Sequence, residues 1–173
     1  MKIVITGHTK GLGQFLYSHF LNKGFNVIGF SRSTGHDIID PNTRNLIVKE
    51  LEDADIFINN AYNNFDDSQL ILLKQAFEFL KGKDKLIINI SSRYTQDNSP
   101  YCITKKELDI FCQNNEYKLP QIINLKPGLF DSPRVERIQG KKMSFNEMLP
   151  IIEFVMLNKN VKIHSITFGK TNN

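Results

Sequence analysis

TGHTKGLG, from Thr6 to Gly13, decides how the rest of the sequence is read. Three glycines in eight residues make a poor helix and a poor strand. The stretch follows the apolar run KIVIT (2–6). It opens a segment, Leu12 to Lys23, in which Leu12, Phe15, Leu16, His19 and Phe20 recur at three- and four-residue steps. That spacing predicts a helix face, stopped by Gly24. Strand, glycine turn and helix in that order place free N–H groups and the positive end of a helix dipole beside bare backbone. A pyrophosphate can sit there if no side chain blocks it. Taken alone, the glycines could equally form a tight turn that holds nothing.

Working outward, the chain alternates between two patterns. Strands are predicted at 26–30 (NVIGF), 54–59 (ADIFIN), 85–91 (KLIINIS), 121–126 (QIINLK) and 161–168 (VKIHSITF). Helices are predicted at Thr43–Leu51, Ser68–Leu80, Pro100–Asn114 and Phe145–Leu157. Strands separated by helices imply right-handed crossovers and a parallel sheet covered on both faces. Several strands are continuously apolar, as a sheet buried on both sides requires. The expectation is a doubly wound α/β fold of Rossmann type, three layers deep, with about seven strands. No repeat or linker divides residues 1–173, so one nucleotide-binding domain is expected. In such folds ligands bind beyond the carboxyl ends of the strands.

Composition narrows the function classes. The chain has 173 residues, 40% hydrophobic and 23% charged, which is ordinary for a globular protein. No apolar run approaches the roughly 20 residues of a membrane span, and the N-terminus carries no signal-peptide pattern. A cytoplasmic protein without membrane partners is expected. The net charge of +4 comes from scattered lysines, and no nucleic-acid motif appears. A solvated basic surface is therefore expected in place of a nucleic-acid interface. The two cysteines, Cys102 and Cys112, match no metal or redox spacing and read as reduced packing residues.

Five segments, each placed just after a predicted strand, resemble the short-chain dehydrogenase/reductase family in family order. They are TGHTKGLG (6–13), NNAY (59–62), ISSR (90–93) with YCITK (101–105), and KPGLFDS (126–132). The resemblance implies a nicotinamide cofactor. Thr6, Gly7, Lys10, Gly11, Leu12 and Gly13 would form its phosphate side. Asn60 and Ala61 would line the adenosine ribose, and Asp37 and Ile38 the adenine edge. Pro127 and Gly128 would shape the loop over the nicotinamide, with Ser132 holding the carboxamide. Ser31 and Arg32 stand where NAD-preferring members carry an acid. Arg32 can pair with a 2′-phosphate, and Lys10 is a second cation, so NADP(H) is expected over NAD(H).

The resemblance further implies catalysis by Ser92, Tyr101 and Lys105 on a small carbonyl or alcohol substrate. Tyrosine and lysine four apart share one helix face, and a nearby ammonium stabilises phenolate. Tyr101 and Lys105 would also touch the nicotinamide ribose. The chain departs from the family's pattern in four places. Tyr62 replaces a glycine, and Ser92 and Tyr101 are only nine residues apart. The helix at 68–80 lacks the family's asparagine, with Asn63 and Asn64 upstream of it. The segment between Ser132 and Phe145 has room for only a brief substrate lid. A non-catalytic NADP-binding or sensor protein on the same fold is the alternative reading, and a polyanion-binding protein a more distant one. The family commonly pairs through helices corresponding to 68–80 and 100–114, which implies a homodimer or homotetramer. Arg93 and Tyr94 would border the substrate. His8 reads as loop surface and His19 as helix packing.

Overall fold

Apolar runs that cannot face water on either side form the centre of the sheet. The computed structural model describes residues 1–63, 66–132, 135–158 and 160–171. Its strands are β1 (Lys2–Thr6), β2 (Asn26–Phe30), β3 (Ile56–Asn59), β4 (Leu86–Ile90), β5 (Gln121–Pro127) and β6 (Ser165–Phe168). The helices are α1 (Gly11–Asn22), α2 (Pro41–Glu50), α3 (Ser68–Phe79), α4 (Pro100–Asn114) and α5 (Phe145–Leu157). All neighbouring strands pair in parallel, in the order β2-β1-β3-β4-β5-β6.

Alternate residues of β1, β3, β4 and β5 feed two cores, which is why these strands read as unbroken hydrophobic runs. Ile3, Ile5, Ile58, Ile88 and Ile123 pack with Leu16 and Phe20 of α1 and Ile152 and Val155 of α5. Val4, Phe57, Ile87 and Ile122 pack with Ile47 of α2, Leu73 and Phe77 of α3 and Leu108 of α4. Burying each such side chain contributes about 1.5–3 kcal/mol. A polar ladder crosses this apolar sheet. Asn59 Nδ2 donates to Asn89 Oδ1 at 3.0 Å, and Asn89 Nδ2 donates to Asn124 Oδ1 at 2.8 Å. The three residues are register partners on β3, β4 and β5. Asn124 Nδ2 then donates to Asp109 Oδ1 of α4 at 2.7 Å.

The sheet has six strands among the described residues, where about seven were expected. Between β2 and β3 the chain makes one 3-10 turn (Arg32–Thr34) and α2, then returns directly beside β1. Among the described residues no further strand extends the β2 edge. Helix α2 also starts at Pro41, earlier than the expected Thr43. Asp40 caps it by accepting from the N–H groups of Asn42 and Thr43, and proline suits the first helical position. Strand β6 starts at Ser165, four residues later than expected, because pairing with β5 begins at Asn124.

Strand order reverses at β1, whose two neighbours are β2 and β3. The crevice at this switch point is where a doubly wound sheet offers space to a ligand.

Candidate active site

The glycine loop is shaped by contacts that leave no room for side chains. Gly7 and Gly11 have φ of +74° and +57°, a region that favours glycine. A Cβ on Gly13 would lie 2.1 Å from Gly7 O and 2.6 Å from Asn60 Nδ2. Gly13 therefore lets α1 pack closely against the loop and the residue that follows β3. Thr6 is fully buried and ties two strand ends together. Its Oγ1 accepts from the N–H groups of Asn60 (3.0 Å) and Ala61 (2.9 Å), and its carbonyl accepts from Asn60 Nδ2 (3.0 Å).

Beside the loop runs a groove of about 410 Å³. Gly7, Lys10, Gly11 and Leu12 line one end, with Ser31, Arg32, Asp37 and Ile38 along the β2 side. Asn60, Ala61 and Tyr62 border it from β3, and Phe130 and Ser132 from beyond β5. Thr6, Gly13, Ser92, Tyr101, Lys105, Pro127 and Gly128 lie outside its lining.

Three hydroxyls not singled out together by the sequence converge at the end of β2. Thr9 Oγ1 is 2.7 Å from Ser33 Oγ and 3.2 Å from Ser31 Oγ, and the two serine oxygens are 3.1 Å apart. Exposed Lys10 and Arg32 flank them on the groove wall. Arg44, nearly buried, braces the neighbouring loop by donating to the carbonyls of Ile38 (2.8 Å) and Ile39 (2.7 Å). Side-chain hydroxyls flanked by two cations suit a phosphate monoester.

The second half of the site rests on β4 and α4. Ser92, 7% exposed, follows β4, and its Oγ accepts from Tyr94 N at 3.0 Å. That bond uses an acceptor site and leaves the O–H to donate. Ser92 and Tyr101 are only nine positions apart, and the short connection is braced from within. Asp97 accepts from Ser99 N at 2.9 Å and from Tyr94 OH at 3.1 Å. Cys102 Sγ reaches Tyr94 O at 3.5 Å. Hydrogen bonds from Cys102 and Ser99 hold the Asp97 carboxyl well below the usual carboxylate range. Ser99 caps α4 by accepting from Cys102 N.

Tyr101 and Lys105 stand one turn apart on α4. Lys105 is 3% exposed, and its ammonium lies 5.8 Å from the centre of the Tyr101 ring. It donates to Gln69 Oε1 at 2.8 Å and to Ile90 O at 3.2 Å. The Tyr62 ring covers it, with its centre 4.4 Å from Nζ, and meets the Tyr101 ring edge-on at 5.3 Å. Tyr62, standing where a glycine was expected, thus roofs the lysine between groove and α4. Gln69 was missed in sequence because a glutamine near a helix start reads as solvated.

The loop after β5 completes the strand ends. Gly128 N donates to Phe168 O at 2.7 Å, and Arg93 N donates to Pro127 O at 2.8 Å. Asn63 lines the groove and donates to Asp66; Asn64 lies outside the described residues. His8 is only partly exposed, where a loop-surface residue was expected. Its ring turns inward over Gly29 and packs 4.9 Å from the Tyr17 ring, and its Nδ1 is buried without a hydrogen-bond partner. His19 does more than pack: its Nε2 shares a 2.9 Å hydrogen bond with Glu153 of α5. Both cysteines are buried and unpaired with each other. No group of three or more metal-ligating side chains occurs among the described residues, and no described helix is long and apolar enough to cross a membrane.

No family model matches the chain, and no curated protein matches it in sequence. Solved structures do. A short-chain type dehydrogenase/reductase from Mycobacterium ulcerans superimposes with a TM-score of 0.82 at 13% identity, over 97% of this chain and 88% of that one. The 3-alpha-hydroxysteroid dehydrogenase of Pseudomonas sp. B-0831, complexed with NADH, gives 0.79 at 14%, over 98% and 95%. A short chain dehydrogenase from Burkholderia cenocepacia J2315, in complex with NADP, gives 0.77 at 15%, over 98% and 88%. The fold of this chain is that of the short-chain dehydrogenase/reductase structures.

Proposed function

We propose that the chain is an NADP(H)-dependent oxidoreductase that interconverts a small carbonyl compound and its alcohol. One observation carries this reading: a single groove borders the glycine loop, a hydroxyl-and-cation cluster and Tyr62, whose ring covers the buried Lys105 and meets Tyr101 edge-on. The residues present fit a dinucleotide. The glycine cradle and the N-terminus of α1 suit a pyrophosphate, and Asn60 and Ala61 border the space an adenosine ribose needs. Thr9, Ser31 and Ser33, with Arg32 and Lys10, would hold a 2′-phosphate. A bound nicotinamide would supply or accept the hydride.

The chain's own residues supply the proton and the positioning. Tyr101 Oη would hold the proton that a forming alkoxide takes up. Lys105, an ammonium sealed from water beside that phenol, would favour the phenolate left behind. Ser92 would donate its O–H to the carbonyl oxygen and steady its developing charge. A homodimer or homotetramer pairing through α3 and α4 would cover Ile103 and Ile110 of α4, which are 44% and 56% exposed.

The Tyr62 roof over Lys105 favours a second reading, a nucleotide-binding protein without turnover. Both readings are tested by titrating NADPH and NADH against wild type and Arg32→Ala, followed by fluorescence. The expected result is tight NADPH binding, selectively weakened by Arg32→Ala. A carbonyl panel with Tyr101→Phe as control then separates enzyme from sensor. If neither nucleotide binds below millimolar concentration, both readings fail.

A further inference from the structure

We infer that Gln69 is the positioning residue of Lys105, and that an uncharged amide at this point is what keeps the ammonium's field directed at Tyr101. Gln69 is 2% exposed and every part of it is held. Its Nε2 donates to Asn59 O and to Ile90 O, each at 3.0 Å. Its backbone carbonyl accepts from Asn59 Nδ2 at 3.1 Å. Those carbonyls end β3 and β4, so the amide bridges two strands of the sheet. Reversing the amide would set Oε1 against two carbonyl oxygens and Nε2 against an ammonium. Only one orientation survives, and in it Oε1 meets Lys105 Nζ at 2.8 Å.

Ile90 O accepts from both Gln69 Nε2 and Lys105 Nζ, closing a compact ring of contacts. A buried ammonium is tolerated only when hydrogen-bonded. A carboxylate at this point would satisfy that need but cancel the charge. An apolar side chain would leave the charge unsupported, and the lysine would lose its proton or swing away. A glutamine orients the ammonium and leaves its charge intact. The role rests on the oxidoreductase reading in so far as Tyr101 is the proton donor.

The test needs neither cofactor nor substrate. Tyrosinate absorbance of the full chain is followed against pH for wild type and Tyr101→Phe, and their difference isolates Tyr101. The same pair is then measured in Gln69→Met, which keeps the volume, and in Gln69→Asn, whose amide is one methylene too short. The expected result is a Tyr101 midpoint about one unit higher in both backgrounds. A merely structural glutamine would lower melting temperature without moving that midpoint. An unchanged midpoint in whichever variant retains a cooperative melt overturns the inference. Because NADPH binding is judged separately, a moved midpoint in a protein that binds no nucleotide would sink the oxidoreductase reading and leave the placement of Lys105 standing.

Discussion

Gly13 shows how much one missing methyl group decides. Its would-be Cβ falls on backbone, the Gly7 carbonyl, and on the amide that ties Asn60 to Thr6. Neither can retreat without moving the glycine loop or the end of β3. Gly13→Ala is therefore expected to cost about 1–3 kcal/mol in urea unfolding and to weaken nucleotide binding together with stability. Loss of binding with unchanged stability would mean that Gly13 faces the ligand after all. Such a residue is legible in sequence because a strand, a glycine and a helix start are local signals. Gln69 and Tyr62 are not. Their partner, Lys105, is 36 residues from Gln69 in sequence, and nothing near either residue announces a buried ammonium. His8 is illegible for the same reason: its ring is admitted only because Gly29, on the next strand, has no side chain to fill the space.

Elements carry their own signatures, and α5 is a clear one. Ser144 and Glu147 form a reciprocal capping box: Ser144 Oγ accepts from Glu147 N at 3.3 Å, and Glu147 Oε2 accepts from Ser144 N at 2.8 Å. Lys170, beyond β6, also pairs with Glu147. Lys170 and then the Ser144 N–H hold the Glu147 carboxyl down at about 2, against an ordinary 4.5. The sign follows from that depression. The contribution is complete above the ordinary value and is lost as pH falls through the folded one. Wild type should lose melting temperature between these values, and Glu147→Gln should lose less over the same window. Parallel melting curves for the two proteins would remove Glu147 from the account. The helix itself was plain from its apolar spacing, but its tie to the segment beyond β6 was not. The start of α2 was misplaced by two residues because a cap acts ahead of the hydrophobic pattern.

At the scale of the whole molecule, the order of strands and helices was readable, because burial on both faces leaves unbroken apolar runs. Those runs number six, as the strands do, and the expectation of about seven rested on the fold type with no seventh run behind it. The two-faced core also predicts thiol chemistry. Cys102 is fully buried, and burial pushes the Cys112 thiol up to about 12, with Asp109 adding to the effect. Both should resist alkylation at neutral pH in the folded protein and react together on unfolding. Rapid labelling of either in the native state would place a breach in the α4 side of the sheet. The asparagine ladder has a consequence of a different kind. Each of its three strands offers a single asparagine among largely apolar residues, and parallel strands alone discriminate poorly between one alignment and the next. Slide β4 by one position and an isoleucine faces two stranded amides, while Asn89 is buried against carbon. The ladder thus works as a checksum on assembly, since only one alignment of β3, β4 and β5 reads correctly across all three, and that alignment sets Ile90 O where Lys105 finds it.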